Sequence, residues 1–452
     1  MNDTICALAT APGGALGIVR VSGPDAFSAV SALCSLNCAD CTARTAHFTR
    51  LVADGVQPEV IDEAIVIIFR APHSYTGEDS VEISCHGSRY ILQRILDLLC
   101  QHGCRMAHPG EFTQRAYLNG KMDLSQAEAV ADLIASTNKA SHDIALGQLR
   151  GSISNELVAL REQLLHLTSL LELELDFSDH EDLEFADRSE LLNLAQQIEA
   201  HIAHLTQTFE TGQALKHGIP VAIVGKTNVG KSTLLNQLVG DNRAIVSNIH
   251  GTTRDTIEET MDIHGVQFRF IDTAGIRSTQ DEVEKIGIDR TFLKIKEARI
   301  IIWLLDQQPS IPEMEQIASL SQGKRCIYVH NKSDLVDKEK FKPYIQSLFL
   351  ISAKKGEGID QLKQRIYEEA QRAGLTANAG DVIITNARHY DALLRAHESL
   401  LRVLSGLQIN ISGDLLSEDL RDVLHILSEI TGGQITTSEV LKNIFKNFCV
   451  GK

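Results

Sequence analysis

Residues 220–238 read Pro220-Val-Ala-Ile-Val224, then Gly225-Lys-Thr-Asn-Val-Gly-Lys-Ser232, then Thr233-Leu-Leu-Asn-Gln-Leu238. An apolar strand pattern, a glycine-rich turn closing on Lys-Ser and a helical run, in that order, predict a phosphate-binding loop. The glycines let backbone amides turn inward around a β-phosphate, and the helix N-terminus adds partial positive charge. Asn228, Val229, Gly230, Lys231, Ser232 and Thr233 are the expected contacts. Lys231 is placed to reach the β/γ-phosphates and Ser232 to give its hydroxyl to Mg²⁺. The stretch predicts an α/β domain that binds a nucleoside triphosphate.

Downstream residues choose the base. Cys326-Ile-Tyr-Val329 is a short buried-strand pattern that runs into His330-Asn331-Lys332-Ser333-Asp334. Asp334 would accept from the ring and exocyclic N–H groups of guanine, a donor pair that adenine lacks. Lys332 would lay its stem along the base, and Asn331 would brace the loop. A second strand pattern, Leu348-Phe-Leu-Ile351, leads into Ser352-Ala353-Lys354, where a backbone amide can meet the guanine carbonyl. In this order and at strand ends, the two motifs select GTP over ATP.

Two further segments are expected to handle the γ-phosphate. Phe268-Arg-Phe-Ile271 is a strand pattern ending in Asp272-Thr273-Ala274-Gly275. Asp272 can hold Mg²⁺ through water, and the Gly275 amide can touch the γ-phosphate. Upstream, Ser247, Asn248, Ile249, His250, Gly251, Thr252 and Thr253 form the segment expected to close over the nucleotide, with Thr253 as a second protein oxygen on Mg²⁺. Loops of this kind order around γ-phosphate and Mg²⁺ and relax after hydrolysis. The chain is therefore expected to switch as well as hydrolyse. Ras-like GTPases carry a water-orienting Gln directly after this glycine; here it is Ile276, which has no group to hold water. Arg254, Arg277, Glu282, Glu284 and a bound cation are the candidates for positioning water and neutralising charge.

At 452 residues the chain has room for two to four domains, each with its own core. No apolar run approaches the length of a membrane span. The opening Met-Asn-Asp-Thr-Ile-Cys has neither a basic region nor an apolar core, so no signal peptide is expected. Nine scattered cysteines suit reduced thiols, and the cytoplasm is the expected compartment. A net charge of −16 argues against a large nonspecific nucleic-acid surface. The acidic stretch Glu172–Glu190, with His180 in it, fits a solvated turn between helices better than a metal site. Cys34, Cys38 and Cys41 invite a zinc reading, but the second pair that could complete it, Cys100 and Cys104, is not nearby, and isolated thiols fit better.

Along the chain, residues 1 to about 118 read as α+β. Leu16–Val21, Glu63–Phe69 and Ser80–Ser84 are strand patterns, and Arg89–Leu99 is a helix that packs on them. Long amphipathic helices follow at Asp123–Ile134 and Asn155–Leu175. Strand–helix alternation runs from Lys216 to Gly374 and ends in the helix Ile359–Ala370. Helices then resume, with stripes at Leu393–Leu404 and Asp414–Ile430 and a capping pattern at Thr436–Glu439. The last helices are too few to bury their stripes alone, so they are expected to pack on the 124–215 helices, making the nucleotide domain an insertion.

The chain resembles the MnmE (TrmE) family of tRNA-modification GTPases over essentially its whole length. The resemblance rests on Ile18-Val-Arg20-Val-Ser-Gly23, Tyr75-Thr-Gly-Glu-Asp79, Cys85-His-Gly87, Pro109-Gly-Glu-Phe112, Arg115-Ala-Tyr-Leu-Asn119, Lys121-Met-Asp-Leu-Ser-Gln-Ala-Glu128 and the terminal Phe-Cys-Val-Gly-Lys. It implies an α+β N-terminal domain similar to tetrahydrofolate-binding enzymes over 1–119, which also mediates homodimerisation. A discontinuous α-helical domain is implied over 120–215 and 377–452, with an inserted α/β Ras-like P-loop G domain over 216–376. The implied activity is addition of an aminomethyl or carboxymethylaminomethyl group to C5 of the wobble uridine of certain tRNAs. The implied partner is the flavoprotein MnmG (GidA), and the one-carbon unit comes from a tetrahydrofolate derivative, either 5-formyl- or 5,10-methylene-tetrahydrofolate. The implied GTP hydrolysis is coupled to G-domain dimerisation and stimulated by K⁺.

Carried over position by position, the resemblance puts K⁺ ligands at Asn228, Ser247, Ile249 and Thr252, and the water-orienting residue at Glu284. A monovalent cation against the phosphates would do electrostatically what an arginine finger does. Arg254 stays a catalytic candidate. The folate positions fall on Arg20, Glu82, Lys121 and Lys452. A pterin edge suits a carboxylate and a glutamate tail suits cations. Cys449 is a candidate thiol for the modification chemistry or a small packed thiol. A regulatory GTPase that controls RNA binding without chemistry of its own is the alternative, and it has no use for these folate positions.

Overall fold

The computed structural model describes residues 3–53, 59–176, 188–240, 259–271, 296–336, 345–378, 380–433, 441, 444–446, 448 and 451. It falls into two compact units, one of residues 1–134, 147–162 and 421–452, the other of 135–146 and 163–420.

In the first unit, β1 (Thr4–Leu8), β2 (Leu16–Ser22), β3 (Ala46–Ala53), β4 (Glu59–Phe69), β5 (Ser80–His86) and β6 (Cys104–Met106) form one sheet in the order β3-β4-β5-β2-β1-β6. All neighbours are antiparallel except β1 and β6. Alternation of buried and open positions sets the register: Val19 and Val21 face the core while Arg20 between them does not. Helix α1 (Ala26–Ser31) and helix α2 (Arg89–Gln101) contribute to that core, α2 through Leu92, Ile95, Leu98 and Leu99. Gly17 permits the close approach of α2, since a Cβ there would stand 2.6 Å from a Leu92 methyl. Helix α3 (Glu111–Leu118) carries Arg115, which is 1% exposed. Its guanidinium lies 2.9 Å from Asp3, 3.1 Å from Glu78 and 3.1 Å from Glu111. A buried charge persists only when paired in this way. Helix α4 (Leu124–Ala135) packs with Leu441 and Phe445, and the Tyr117 hydroxyl donates to the Gly432 carbonyl at 2.8 Å.

The second unit contains most of the remaining elements. The chain passes through α5 (Lys139–Leu149), α6 (Ser152–Asp176) and α7 (Arg188–His217) into β7 (Ile219–Val224) and α8 (Lys231–Val239). The hairpin β8 (Glu259–Ile263) and β9 (Val266–Phe270) is followed by β10 (Ile300–Leu305), α9 (Ile311–Leu320), β11 (Arg325–His330), β12 (Phe349–Leu350), α10 (Ile359–Arg372), α11 (Ala387–Gln408) and α12 (Gly413–Thr431). The sheet order is β12-β11-β10-β7-β9-β8, parallel except for the β8 edge. Strand β10 is buried throughout because both faces are covered. Ile300, Ile302 and Leu304 pack with Leu234, Leu362 and Ile366 on one side. Ile301, Trp303 and Leu305 pack with Ile317 and Leu320 on the other.

Helix α11 packs on α7: the Phe209 and Tyr390 rings stack with centroids 4.2 Å apart, and Gln213 donates to the Thr385 carbonyl at 2.7 Å. Beside the α7–β7 junction, Phe209, Gln213, Gly218, Pro220, Arg269 and Arg299 line a cavity of about 640 Å³.

The expected strands and helices are present with ends moved by a few residues. The Leu348–Ile351 pattern yields only a two-residue strand, β12, at the sheet edge. The Thr436–Glu439 capping pattern, and residues 177–187 of the acidic stretch with His180, lie outside the described residues. Among the described residues no group of three His, Cys, Asp or Glu side chains is arranged to hold a metal, and Cys34, Cys38 and Cys41 are free thiols. The contact between the two thiols pulls Cys34 down from its ordinary range and pushes Cys38 up. No helix among the described residues is long and apolar enough to cross a membrane.

Gly212 in α7 tests the packing of that helix against Ile383 and Ile384, the segment that leads into α11. A Cβ there would stand 2.1 Å from the Ile384 carbonyl oxygen, which is backbone and has little room to yield. Overpacking costs about 1–3 kcal/mol and outweighs the roughly 1 kcal/mol that Ala gains over Gly inside a helix. Gly212→Ala is therefore expected to lower the thermal unfolding midpoint by a few degrees in calorimetry, against the rise that helix propensity alone would give.

Candidate functional site

The site is built at the C-terminal ends of the parallel strands, where open α/β sheets leave a crevice. Strand β7 ends at Val224 and the chain turns at once. Gly225 has φ 154°, and a Cβ on it would lie 2.3 Å from the Leu304 carbonyl oxygen of β10, so only hydrogen fits. Asn228 sits at φ 60°, in the left-handed region that Asn tolerates best after glycine. Gly230, at φ 100°, starts α8, and Ser232 and Thr233 fall in its first turn. The Lys231 ammonium crosses the turn and donates to the carbonyls of Gly225 at 2.8 Å and Lys226 at 2.7 Å. This brings all six predicted phosphate-loop residues, Asn228 to Thr233, into one strand–turn–helix.

The Asn331 side chain, 4% exposed, links this turn to its neighbour. Its Nδ2 donates to the Val229 carbonyl at 2.8 Å, and its Oδ1 accepts from the Ala353 N–H at 2.9 Å. The contact is so close that a Cβ on Gly230 would come within 2.4 Å of Asn331 Nδ2. Lys332 is also left-handed, at φ 63°, and its ammonium meets the Asp306 carboxylate at 2.6 Å. Asp334 accepts from the Ser352 hydroxyl at 2.7 Å, and that bond holds its carboxyl below the ordinary carboxylate range. Lys354 follows as an exposed residue of the same loop. Asn331, Lys332, Asp334, Ser352, Ala353 and Lys354 thus belong to one cluster facing the phosphate loop.

Sequence reasoning passed over two carboxylates here. Asp306 follows β10 and is found only through the β10–β11 register, which pairs Leu305 with His330. Glu313 in α9 pairs with Lys226 of the phosphate loop at 2.9 Å. The lysine, aided by Ser310, draws its carboxyl down to about 2. The remaining predicted nucleotide, metal and catalytic residues lie outside the described residues. These are Ser247, Asn248, Ile249, His250, Gly251, Thr252, Thr253, Arg254, Asp272, Thr273, Ala274, Gly275, Glu284 and Cys449, with the candidates Arg277 and Glu282.

A second cluster lies in the first unit. Arg20 and Glu82 are opposite each other in the β2–β5 register, and Arg20 donates twice to one Glu82 oxygen, at 3.0 and 2.8 Å. Arg20 also donates to the Gly451 carbonyl at 3.2 Å and lies over the rings of Tyr75 and Phe112. Lys121 donates to the Pro72 carbonyl at 2.9 Å. Lys452 lies outside the described residues.

A parallel sheet with a phosphate loop at its switch point, joined through a buried Asn to a Lys-x-Asp loop, defines a P-loop domain of the guanine-nucleotide-binding class. Residues 124–449 match the family model of the MnmE helical domain, and residues 4–121 that of the GTP-binding protein TrmE N-terminus. The chain is 51% identical to the tRNA modification GTPase MnmE of Phocaeicola vulgatus, over 100% of this chain and 99% of that protein. It is 52% identical to the protein of the same description from Bacteroides fragilis, over 100% of both. The solved G domain of the T. maritima FeoB iron transporter is similar at 24% identity and a TM-score of 0.25, over 34% of this chain and 99% of that one. The chain belongs to the MnmE family of tRNA modification GTPases.

Gly230→Ala is the sharpest test of the turn. It forces a side chain into φ 100° and against Asn331, a strain of order 1–3 kcal/mol. The expected result is a loss of about 10- to 100-fold in affinity for a fluorescent guanine nucleotide, read by titration, with the far-ultraviolet circular dichroism unchanged.

Proposed function

We propose that the chain hydrolyses GTP to drive addition of a carboxymethylaminomethyl or aminomethyl group to C5 of the wobble uridine in certain tRNAs. It would act in the cytoplasm as a homodimer, with the flavoprotein MnmG as partner and a tetrahydrofolate derivative as the one-carbon donor. The observation that carries this reading is the joint presence of the Asn331-braced guanine loops and the Arg20–Glu82–Gly451 cluster in a chain matched along its whole length by MnmE proteins. The domain division stands as part of the proposal: residues 1–119, 120–215 with 377–452, and 216–376.

In the nucleotide site, Asp334 would read the guanine N–H groups and Lys332 would cover the base. The Ala353 N–H is engaged by Asn331 and the Lys355 N–H by Ser352. That supports the Lys354 N–H as donor to the guanine carbonyl. Mg²⁺ would be held by Ser232 and Thr253, and K⁺ by Asn228, Ser247, Ile249 and Thr252. The left-handed Asn228 in the turn is compatible with a side chain that lies along the phosphates. When bound, K⁺ supplies the charge neutralisation that an arginine finger gives elsewhere. Glu284 would orient the water, Arg254 remains a catalytic candidate, and Cys449 a thiol for the uridine chemistry.

The folate site would use Arg20, Glu82, Lys121 and Lys452. Its fit is supported by a half-buried carboxylate and guanidinium beside two aromatic rings, a set suited to a flat polar ring system. The homodimer is supported by the open face of β3 and β4, where Phe48, 66% exposed, stands directly opposite Ile65, 45% exposed.

The deciding experiment is nucleoside analysis of tRNA from cells lacking this protein. Loss of the modified wobble uridine is expected, and unchanged uridine modification would overturn the reading. A second measurement addresses the cation. GTP turnover should rise in K⁺ by about tenfold or more over Na⁺, and Asn228→Ala should remove the difference. Equal turnover of the unaltered protein in the two salts would end the K⁺ assignment.

A further inference from the structure

We infer that Asp306 is a positioning residue for guanine recognition, acting through Lys332. The inference rests on the guanine-site reading above and adds a residue to it.

Strand β10 delivers Asp306 to the edge of the site. Its last residue, Leu305, accepts at its carbonyl from the Asn331 N–H at 2.7 Å, so the two strand ends are fixed in step. One residue further, the Asp306 carboxylate receives the Lys332 ammonium at 2.6 Å. The pair is partly shielded, with the two side chains 29% and 38% exposed. His330 also lies close to Asp306 but is held below its ordinary value by burial. Among the described residues, Lys332 is the cation in direct contact with the Asp306 carboxylate.

The pairing matters because of the work Lys332 has to do. A lysine that covers a base uses its methylene stem, while its head must be anchored or it samples many rotamers. Lys332 starts from a left-handed backbone, which fixes the direction of departure, and Asp306 fixes the far end. The stem between is tied at both ends, so less entropy is left to lose when a nucleotide arrives. Charge makes a second contribution. Asp334 lies two residues beyond Lys332 and has its own bond to Ser352. With its ammonium matched to Asp306, Lys332 does not compete with a guanine for the Asp334 carboxylate.

The test uses the full-length chain, N-methylanthraniloyl-GDP as probe and steady-state GTP hydrolysis. Asp306→Asn keeps the shape and an acceptor oxygen but removes the charge, so the bond from the Lys332 ammonium loses its ion-pair component. The expected result is about tenfold weaker probe binding and a matching rise in KM, with kcat at saturating GTP within about twofold. In a Lys332→Ala background the same change should have no further effect, because a residue that acts only through Lys332 has nothing left to position. Asp306→Glu, which keeps the charge on a longer arm, should fall between the unaltered protein and Asp306→Asn, and it carries the test if the Asn variant does not fold. Unchanged affinity in Asp306→Asn, a loss confined to kcat, the same loss in the Lys332→Ala background, or a Glu variant weaker than the Asn variant would each overturn the inference. Absence of probe binding by the unaltered chain would instead overturn the guanine-site reading.

Discussion

One buried carboxamide holds the nucleotide-facing edge of the second sheet together. Asn331 spends both ends of its amide on backbone, one on the carbonyl of Val229 and one on the N–H of Ala353. Each bond contributes only about 1 kcal/mol net, but leaving either partner buried and unpaired would cost about 1–3 kcal/mol. Two loops more than a hundred positions apart therefore keep one geometry or lose both bonds. Gly230 exists to let that amide in, and the loop carrying Ser352 and Lys354 takes its place from the same contact. The Gly225–Ser232 turn and the loops carrying Lys332 and Ala353 form one object for this reason.

How much of this was legible follows from how local each signal is. The phosphate loop was readable because strand, turn and helix are consecutive and each residue's role depends on its neighbours. Ile300–Leu305 was not assigned, although it is the most buried strand of its sheet. A run of six apolar residues has no alternation, and a strand covered on both faces looks like a short buried helix. Asp306 was missed for the same reason, since its partner is set by the register of that strand. Glu313 was missed because nothing in a sequence tells which loop lysine a helix N-terminus will meet.

In the first unit the balance differs. Arg20 and Glu82 stand out only through family resemblance, because each alone is an ordinary charge on a strand. The fold pairs them across β2 and β5 and adds the Gly451 carbonyl from the far end of the chain. The Arg20 guanidinium meets a carbonyl 431 positions away, a contact that no periodicity encodes. Arg115 and its three carboxylates show the complementary case: the motif Arg115–Asn119 carries family identity, yet the arginine itself is buried, and its visible work is to fasten Asp3, Glu78 and Glu111.

The passage from α7 into β7 has a mechanical meaning. A helix of 30 residues, roughly 45 Å of shaft, ends at His217, and the strand that leads to the phosphate loop begins at Ile219. Gly218, at φ 86°, is the only chain link between them, and Ala214 and Leu215 of the last helical turn share a core with Ile219 and Val221 of the strand. With one residue as the joint, there is no slack to absorb torque: a tilt of the shaft reaches the strand, or is taken up by two torsion angles of a single glycine. Lengthening the coupling by even two residues would turn a lever into a tether.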